Sequence, residues 1–111
     1  MVNGRNKGKR FELRIAEVWA RVMGGEPQRT GYVSKYLDDQ GVDLTDTDPF
    51  YIQCKAHERS LPMHDILDNM PESDTHYNVV VHKRNNRGCV VAMRFGDFLE
   101  LAEMLRHNKI L

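Results

Sequence analysis

The fold class this sequence predicts is a small mixed α/β domain, a central β-sheet flanked by helices in the order α-β-β-α-β-β-α. Three observations predict it: three segments repeat apolar residues at helical spacing, two pairs of short apolar runs read as strands, and turn-forming residues separate them. With 111 residues and 41% hydrophobic side chains, the chain has material for one core. A domain of this size removes about 60 to 70% of its unfolded surface from water. No internal repeat or low-complexity tract interrupts the pattern.

Residues 1 to 8 are Gly, Asn and basic side chains with no apolar anchor, which reads as a flexible basic arm and leaves residues 9 to 111 as a single domain. From Lys9 to Met23, Phe11, Ile15, Val18, Trp19 and Val22 make the stripe of an amphipathic helix, stopped by Gly24-Gly25. Residues 26 to 41, with Pro27, Gly31 and Gly41, read as a loop. Two strands follow, Val42 to Thr45 and Phe50 to Ala56, around the turn formers Asp46, Asp48 and Pro49. A short helix is expected from Pro62 to Met70, since Pro suits a first helical turn and Met63, Ile66, Leu67 and Met70 share a face. Tyr77 to Lys83 and Gly88 to Arg94 read as a strand pair with Arg84-Asn85-Asn86-Arg87 at its tip. Gly96 to His107, with Phe98, Leu101, Ala102 and Leu105, is the last helix.

Equal numbers of basic and acidic residues, 16 of each, give zero net charge. By segment the balance is uneven: residues 1 to 35 carry +5, residues 36 to 76 carry −8 and residues 77 to 111 carry +3. Two basic surfaces flanking an acidic centre is how a polyanion site built around a cation looks, although scattered solvated charge gives the same totals. Cys54 and Cys89 have no metal-ligand spacing and fall in strand-like runs, so they read as buried thiols in a reducing cytoplasm. The sequence shows no signal peptide and no run of about 18 apolar residues, and the expected location is cytoplasmic.

Successive side chains of a strand point to opposite faces. Phe50, Ile52, Cys54 and Ala56 therefore share an apolar face, and Tyr51, Gln53 and Lys55 the polar one. If the two strands form a hairpin with a loop at Thr47-Asp48-Pro49, Asp43 lies opposite Gln53, with Cβ atoms about 4.5 to 5.5 Å apart. A carboxylate and an amide oxygen so placed can hold one hard cation, Mg²⁺ or Mn²⁺, with Lys55 beside it. Such a centre suits phosphodiester hydrolysis. An ordinary hairpin with one solvated face has the same alternation.

A resemblance favours the cation site. The order Lys7-Gly8-Lys9-Arg10-Phe11-Glu12, Arg29-Thr30-Gly31, Gly41-Val42-Asp43-Leu44, Ile52-Gln53-Cys54-Lys55, and Val79-Val80-Val81-His82-Lys83-Arg84-Asn85-Asn86-Arg87-Gly88 leading into Phe95-Gly96-Asp97-Phe98-Leu99 resembles the PD-(D/E)XK nuclease superfamily. More narrowly it is similar to the phage and archaeal Holliday-junction-resolvase-like endonucleases, over nearly the whole chain from Lys7. The resemblance implies a restriction-endonuclease-like core and a homodimer cutting branched DNA, a four-way junction, with Mg²⁺ or Mn²⁺ and no membrane partner. It implies Asp43 as central metal ligand, Gln53 at the second ligand position, the Cys54 main-chain carbonyl as a further ligand, Glu12 completing the site from the first helix, and Lys55 as the catalytic lysine. Arg29 would face the scissile phosphate. Gln53 departs from the family, which carries Glu or Asp there, and a neutral amide binds a cation more weakly.

Lys7, Lys9, Arg10, Arg84 and Arg87 are candidate DNA contacts, and His57 a weaker one; each is also an ordinary surface residue type. Tyr32, Tyr36 and Tyr51 could stack on bases or serve as packing. Two alternatives stay open: a nicking or restriction-type endonuclease on duplex DNA, and a catalytically weak DNA-binding module of the same fold, which Gln53 favours.

Overall fold

The computed structural model describes residues 4–111, a mixed α/β domain. Its elements are α1 (Gly4–Met23), β1 (Gln28–Arg29), α2 (Thr30–Val33), α3 (Lys35–Asp39), β2 (Leu44–Thr45), β3 (Phe50–Ala56), α4 (Met63–Asp68), β4 (Tyr77–Arg84), β5 (Gly88–Ala92) and α5 (Phe95–His107). The seven expected elements occur in the expected order. No helix among the described residues is long and apolar enough to cross a membrane.

The sheet is divided where one was expected. β3, β4 and β5 form a three-stranded sheet in that order, with β3 parallel to β4 and β4 antiparallel to β5. Parallel neighbours need a long crossover, and residues 57–76 with α4 supply it. β2 pairs with β1 in a separate antiparallel ribbon, Arg29 against Leu44. The expected hairpin ladder between β2 and β3 is therefore corrected. The Asp43 N–H does reach the Ile52 carbonyl (2.8 Å), but the next N–H of β3, that of Cys54, is taken by the Asp43 side chain (2.7 Å), so main-chain pairing stops there. On its other side the Asp43 carbonyl accepts from Thr30 N (3.0 Å), and the Asp46 carboxylate accepts from Glu26 N (2.7 Å), which draws β2 toward β1.

The core has two parts, one on each face of the sheet, as a period of two along β3 and β4 requires. Ile52, Val79 and Val81 pack with Phe11 and Ala16 of α1 and with Leu44. Val80 of the opposite face packs with Val42, Leu67 and Met70, bringing in α4. Covered on both sides, β4 buries five residues in a row, Asn78 to His82, around the apolar run Val79-Val80-Val81.

Three further expectations are corrected. Gly4 to Gly8, assigned to a flexible arm, belong to α1; Lys7, Gly8 and Lys9 are half-buried, and Lys7 Nζ lies 3.5 Å from Glu58 Oε1, which supplies the anchor that apolar residues do not. The arm's residues 1–3 lie outside the described residues. The loop over 26–41 contains β1, α2 and α3. Cys89 is exposed, because β5 is an edge strand whose residues 88–91 all face solvent, while Cys54 is half-buried.

Candidate active site

Asp43 is fixed at three points: its N–H on Ile52, its carbonyl on Thr30 N, and Oδ2 on Cys54 N. The segment before it is held by Thr30, which is fully buried and whose hydroxyl donates to the Val42 carbonyl and lies 3.2 Å from Asp38 Oδ1. Gly41 introduces this segment at φ +79°, and a Cβ there would come within 3.1 Å of Gln53 Oε1. Glycine is thus required both by the left-handed backbone and by the close approach of the Gln53 amide.

Ile52 accepts from Asp43 and Cys54 donates to it. The N–H and C=O of one strand residue point to the same edge, so the Cys54 carbonyl lies on the edge where the Asp43 carboxylate docks. Gln53 and Lys55, both half-buried, alternate with it on the other face of β3. Lys55 makes no salt bridge among the described residues.

The electrostatics bind these groups together. Burial raises the Asp43 carboxyl to about 6, against an ordinary 3.8; the Cys54 N–H holds it down, Glu12 pushes it up, Lys55 pulls it down and Asp38 pushes it up. Asp43 thus senses Glu12 from α1, Lys55 from β3 and Asp38 from α3 at once. Burial, and then the charges of Asp43 and Glu12, raise the Cys54 thiol, which keeps it protonated and removes it as a soft thiolate ligand.

Glu12 is paired with Arg29 through Arg29 Nε and Glu12 Oε2, and both side chains are less than one-fifth exposed. That contact with Glu12 raises the guanidinium above its usual range. Arg29 is 5.2 Å from the Tyr32 ring centre. The structure therefore gives Arg29 a partner inside the protein, where the resemblance gives it a phosphate.

Asp43, Gln53, Cys54, Lys55 and Glu12 gather at β3 and the facing edge of α1. The remaining candidates lie elsewhere. Lys7, Lys9 and Arg10 lie on the first turns of α1. His57 lies past the end of β3, its carbonyl 2.9 Å from His82 Nε2. Arg84 ends β4 and bonds Ser60 Oγ (3.2 Å), and Arg87 is exposed in the β4–β5 turn. Tyr51 stacks on His76, with ring centres 4.1 Å apart, and His76 Nε2 lies 2.7 Å from Asp48 Oδ1, so Tyr51 is packed, while Tyr32 and Tyr36 are exposed. Sequence reasoning missed Asp38, whose one signal was proximity to Gly41-Val42-Asp43 in a segment that periodicity reads as loop, and quoted Thr30 only within Arg29-Thr30-Gly31 without its role in holding Val42.

Among the described residues no three His, Cys, Asp or Glu side chains gather as a metal cluster. The donors at this edge are instead two carboxylates, an amide and a peptide carbonyl, all oxygen. No protein family, no curated protein and no solved structure matches this chain.

Proposed function

We propose that the protein is a metal-dependent endonuclease that hydrolyses phosphodiester bonds in branched DNA, on a restriction-endonuclease-like core. One observation carries this reading: a carboxylate pinned at a strand edge shares its field with a second carboxylate and with a half-buried lysine that makes no salt bridge among the described residues. Burial of the Asp43 carboxylate costs stability that a bound cation would relieve, and the donors Asp43, Glu12, Gln53 Oε1 and the Cys54 carbonyl are the hard oxygens that Mg²⁺ or Mn²⁺ takes. When bound, the ion supplies a polarised phosphoryl oxygen and an activated water.

The chain's own residues do the rest. Lys55 presents an ammonium to the charge that grows on the phosphate. The Cys54 N–H fixes the Asp43 carboxylate, leaving Oδ1 for a ligand. Arg29 holds Glu12 through Oε2 and orients it toward the site. The branched substrate rests on the family resemblance, and comparing a four-way junction with a linear duplex of the same sequence separates it from a nicking or restriction-type activity.

The homodimer that symmetric junction cleavage needs is supported by the apolar face around α5. Val22, Met23, Val91, Phe95, Phe98, Leu99 and Met104 are all at least half exposed. Several of them line an apolar groove of about 630 Å³ between α1 and α5. An exposed apolar face of this kind, continued by the groove, fits a second copy of this chain.

The test is nicking of a synthetic four-way junction with Mg²⁺ or Mn²⁺. Lys55→Ala is expected to lower the rate by about a hundredfold or more while DNA binding persists; equal cleavage by this variant would end the mechanism. Gln53 favours a second reading, a DNA-binding module that does not use metal. A site that binds Mn²⁺ only when folded must raise the melting temperature. No shift at millimolar Mn²⁺ together with no cleavage would establish that module.

A further inference from the structure

Helix α1 carries a second feature on the side away from Glu12. Lys7, Arg10 and Arg14 follow one another at three- and four-residue spacing, which puts them in one row. At 100° per residue the row lies about 140 to 160° around the helix from Glu12. With Lys83 of β4 it lines an open cavity of about 590 Å³ beside Phe11 and Ala56. Arg10, Arg14 and Lys83 make no salt bridge among the described residues. Lys7 is partly offset by Glu58, whose carboxylate also accepts from Asn85 N (2.8 Å) and so ties α1 to the β4–β5 turn.

At its start the row runs against helix stability: Lys7 lies in a first turn that carries no acid, where a cation near the positive end of the helix dipole costs about 0.3 to 1 kcal/mol. The row rises roughly 10 Å along the axis from Lys7 to Arg14. Its charges thus recur every ~5 Å, a spacing suited to an extended polyanion such as a nucleic-acid strand, with one phosphate per ~3.4 Å of rise. A single phosphate would engage only part of it.

We infer that the Lys7–Arg10–Arg14 row and Lys83 form an anchor for a DNA phosphodiester backbone, separate from the Asp43 site and independent of metal. The inference rests on the reading of the protein as acting on DNA, and it adds where the strand is held away from the reacting bond. It also gives a role to Arg14, which motif reasoning passed over.

The experiment measures binding of the whole protein to a short DNA duplex in chelator, over a range of salt. Replacing Arg10, Arg14 and Lys83 together by Ala is expected to weaken binding at least about tenfold and to flatten the plot of log K against log salt by about 0.9 per cation removed. Arg21→Ala, at the far end of α1, keeps the wild-type slope. Glu58→Gln strengthens binding, because it releases Lys7. A triple variant that melts like wild type yet keeps wild-type affinity and slope overturns the anchor, as does a wild-type protein that does not bind the duplex. Mn²⁺-induced stabilisation, read on the same variant, reports the Asp43 site alone. Loss of that shift with the slope effect intact removes the nuclease reading and leaves the anchor standing; the reverse pattern removes only the anchor.

Discussion

Helices α1 and α5 have the same pattern in sequence and opposite fates in structure. Both carry a one-sided apolar stripe. α1 buries Phe11 and Ala16 against β3 and β4, whereas α5 buries none of its residues and leaves Phe95, Phe98 and Leu99 at least half exposed. The difference lies in the surface each one meets. α1 lies over Ile52 of β3 and over Val79 and Val81 of the central strand β4, while α5 follows β5, whose residues 88–91 face solvent and offer it little. An amphipathic period states that a helix has a face to cover; it does not state that the same chain covers it.

The largest effect that tests this contrast is in the core. Phe11→Ala is expected to lower stability by about 3 to 5 kcal/mol in denaturant unfolding, because it empties a site shared with Leu44 and Ile52. A loss below ~1 kcal/mol would show that α1 is no better seated than α5.

The second effect concerns the site that α1 helps to enclose. A carboxyl raised to about 6 binds its proton more tightly in the folded protein than in the unfolded chain. The stability it removes is absent below about pH 4, grows as pH rises through 6, and is fully felt above it. Asp43→Asn keeps an acceptor for Cys54 N, so it is expected to stabilise the metal-free protein at pH 8 on the order of 2 kcal/mol, with the gain closing by pH 4. Mn²⁺ competes with the proton, so its stabilising effect on the wild type is expected to shrink between pH 8 and pH 5, and in Asp43→Asn to be small throughout. Thermal melts across this range check both.

The smallest effect on the fold comes from α5. Phe98→Glu is expected to change the stability of an isolated protomer by no more than ~0.5 kcal/mol while abolishing dimerisation in sedimentation. A dimer that survives this change would place the interface elsewhere.

The sequence was most legible where one period holds over a whole element. Phe50–Ala56 alternates cleanly and β3 has those limits; Tyr77 and Val79 to Val81 marked β4 to within a residue of its end. It was least legible between 26 and 41. There α2 and α3 span four and five residues, too short for a period, and depend on long-range contacts such as Thr30 N to the Asp43 carbonyl and on the Ser34 cap to Leu37 N. The start of α1 was missed for a related reason, since Lys7 is anchored by Glu58 from the segment that follows β3.

At the site, the shared face of Gln53 and Lys55 follows from alternation alone, and the nearness of Asp43 to β3 was anticipated. The means of attachment was not, because a side chain that bonds the Cys54 peptide leaves no mark on a hydrophobic pattern. Nor does the Glu12–Arg29 pair, which joins a helix to a two-residue strand.

β4 has one more consequence, for the order in which the molecule is made. Glu12, Arg29, Asp43, Gln53, Cys54 and Lys55 all leave the ribosome before Tyr77–Arg84, yet β3 has no sheet partner until that strand arrives to pair Gln53 with Val80 and Lys55 with His82. The nascent chain therefore holds every residue of the candidate site without the strand that keeps them in line, and the site assembles only after Tyr77–Arg84 has emerged.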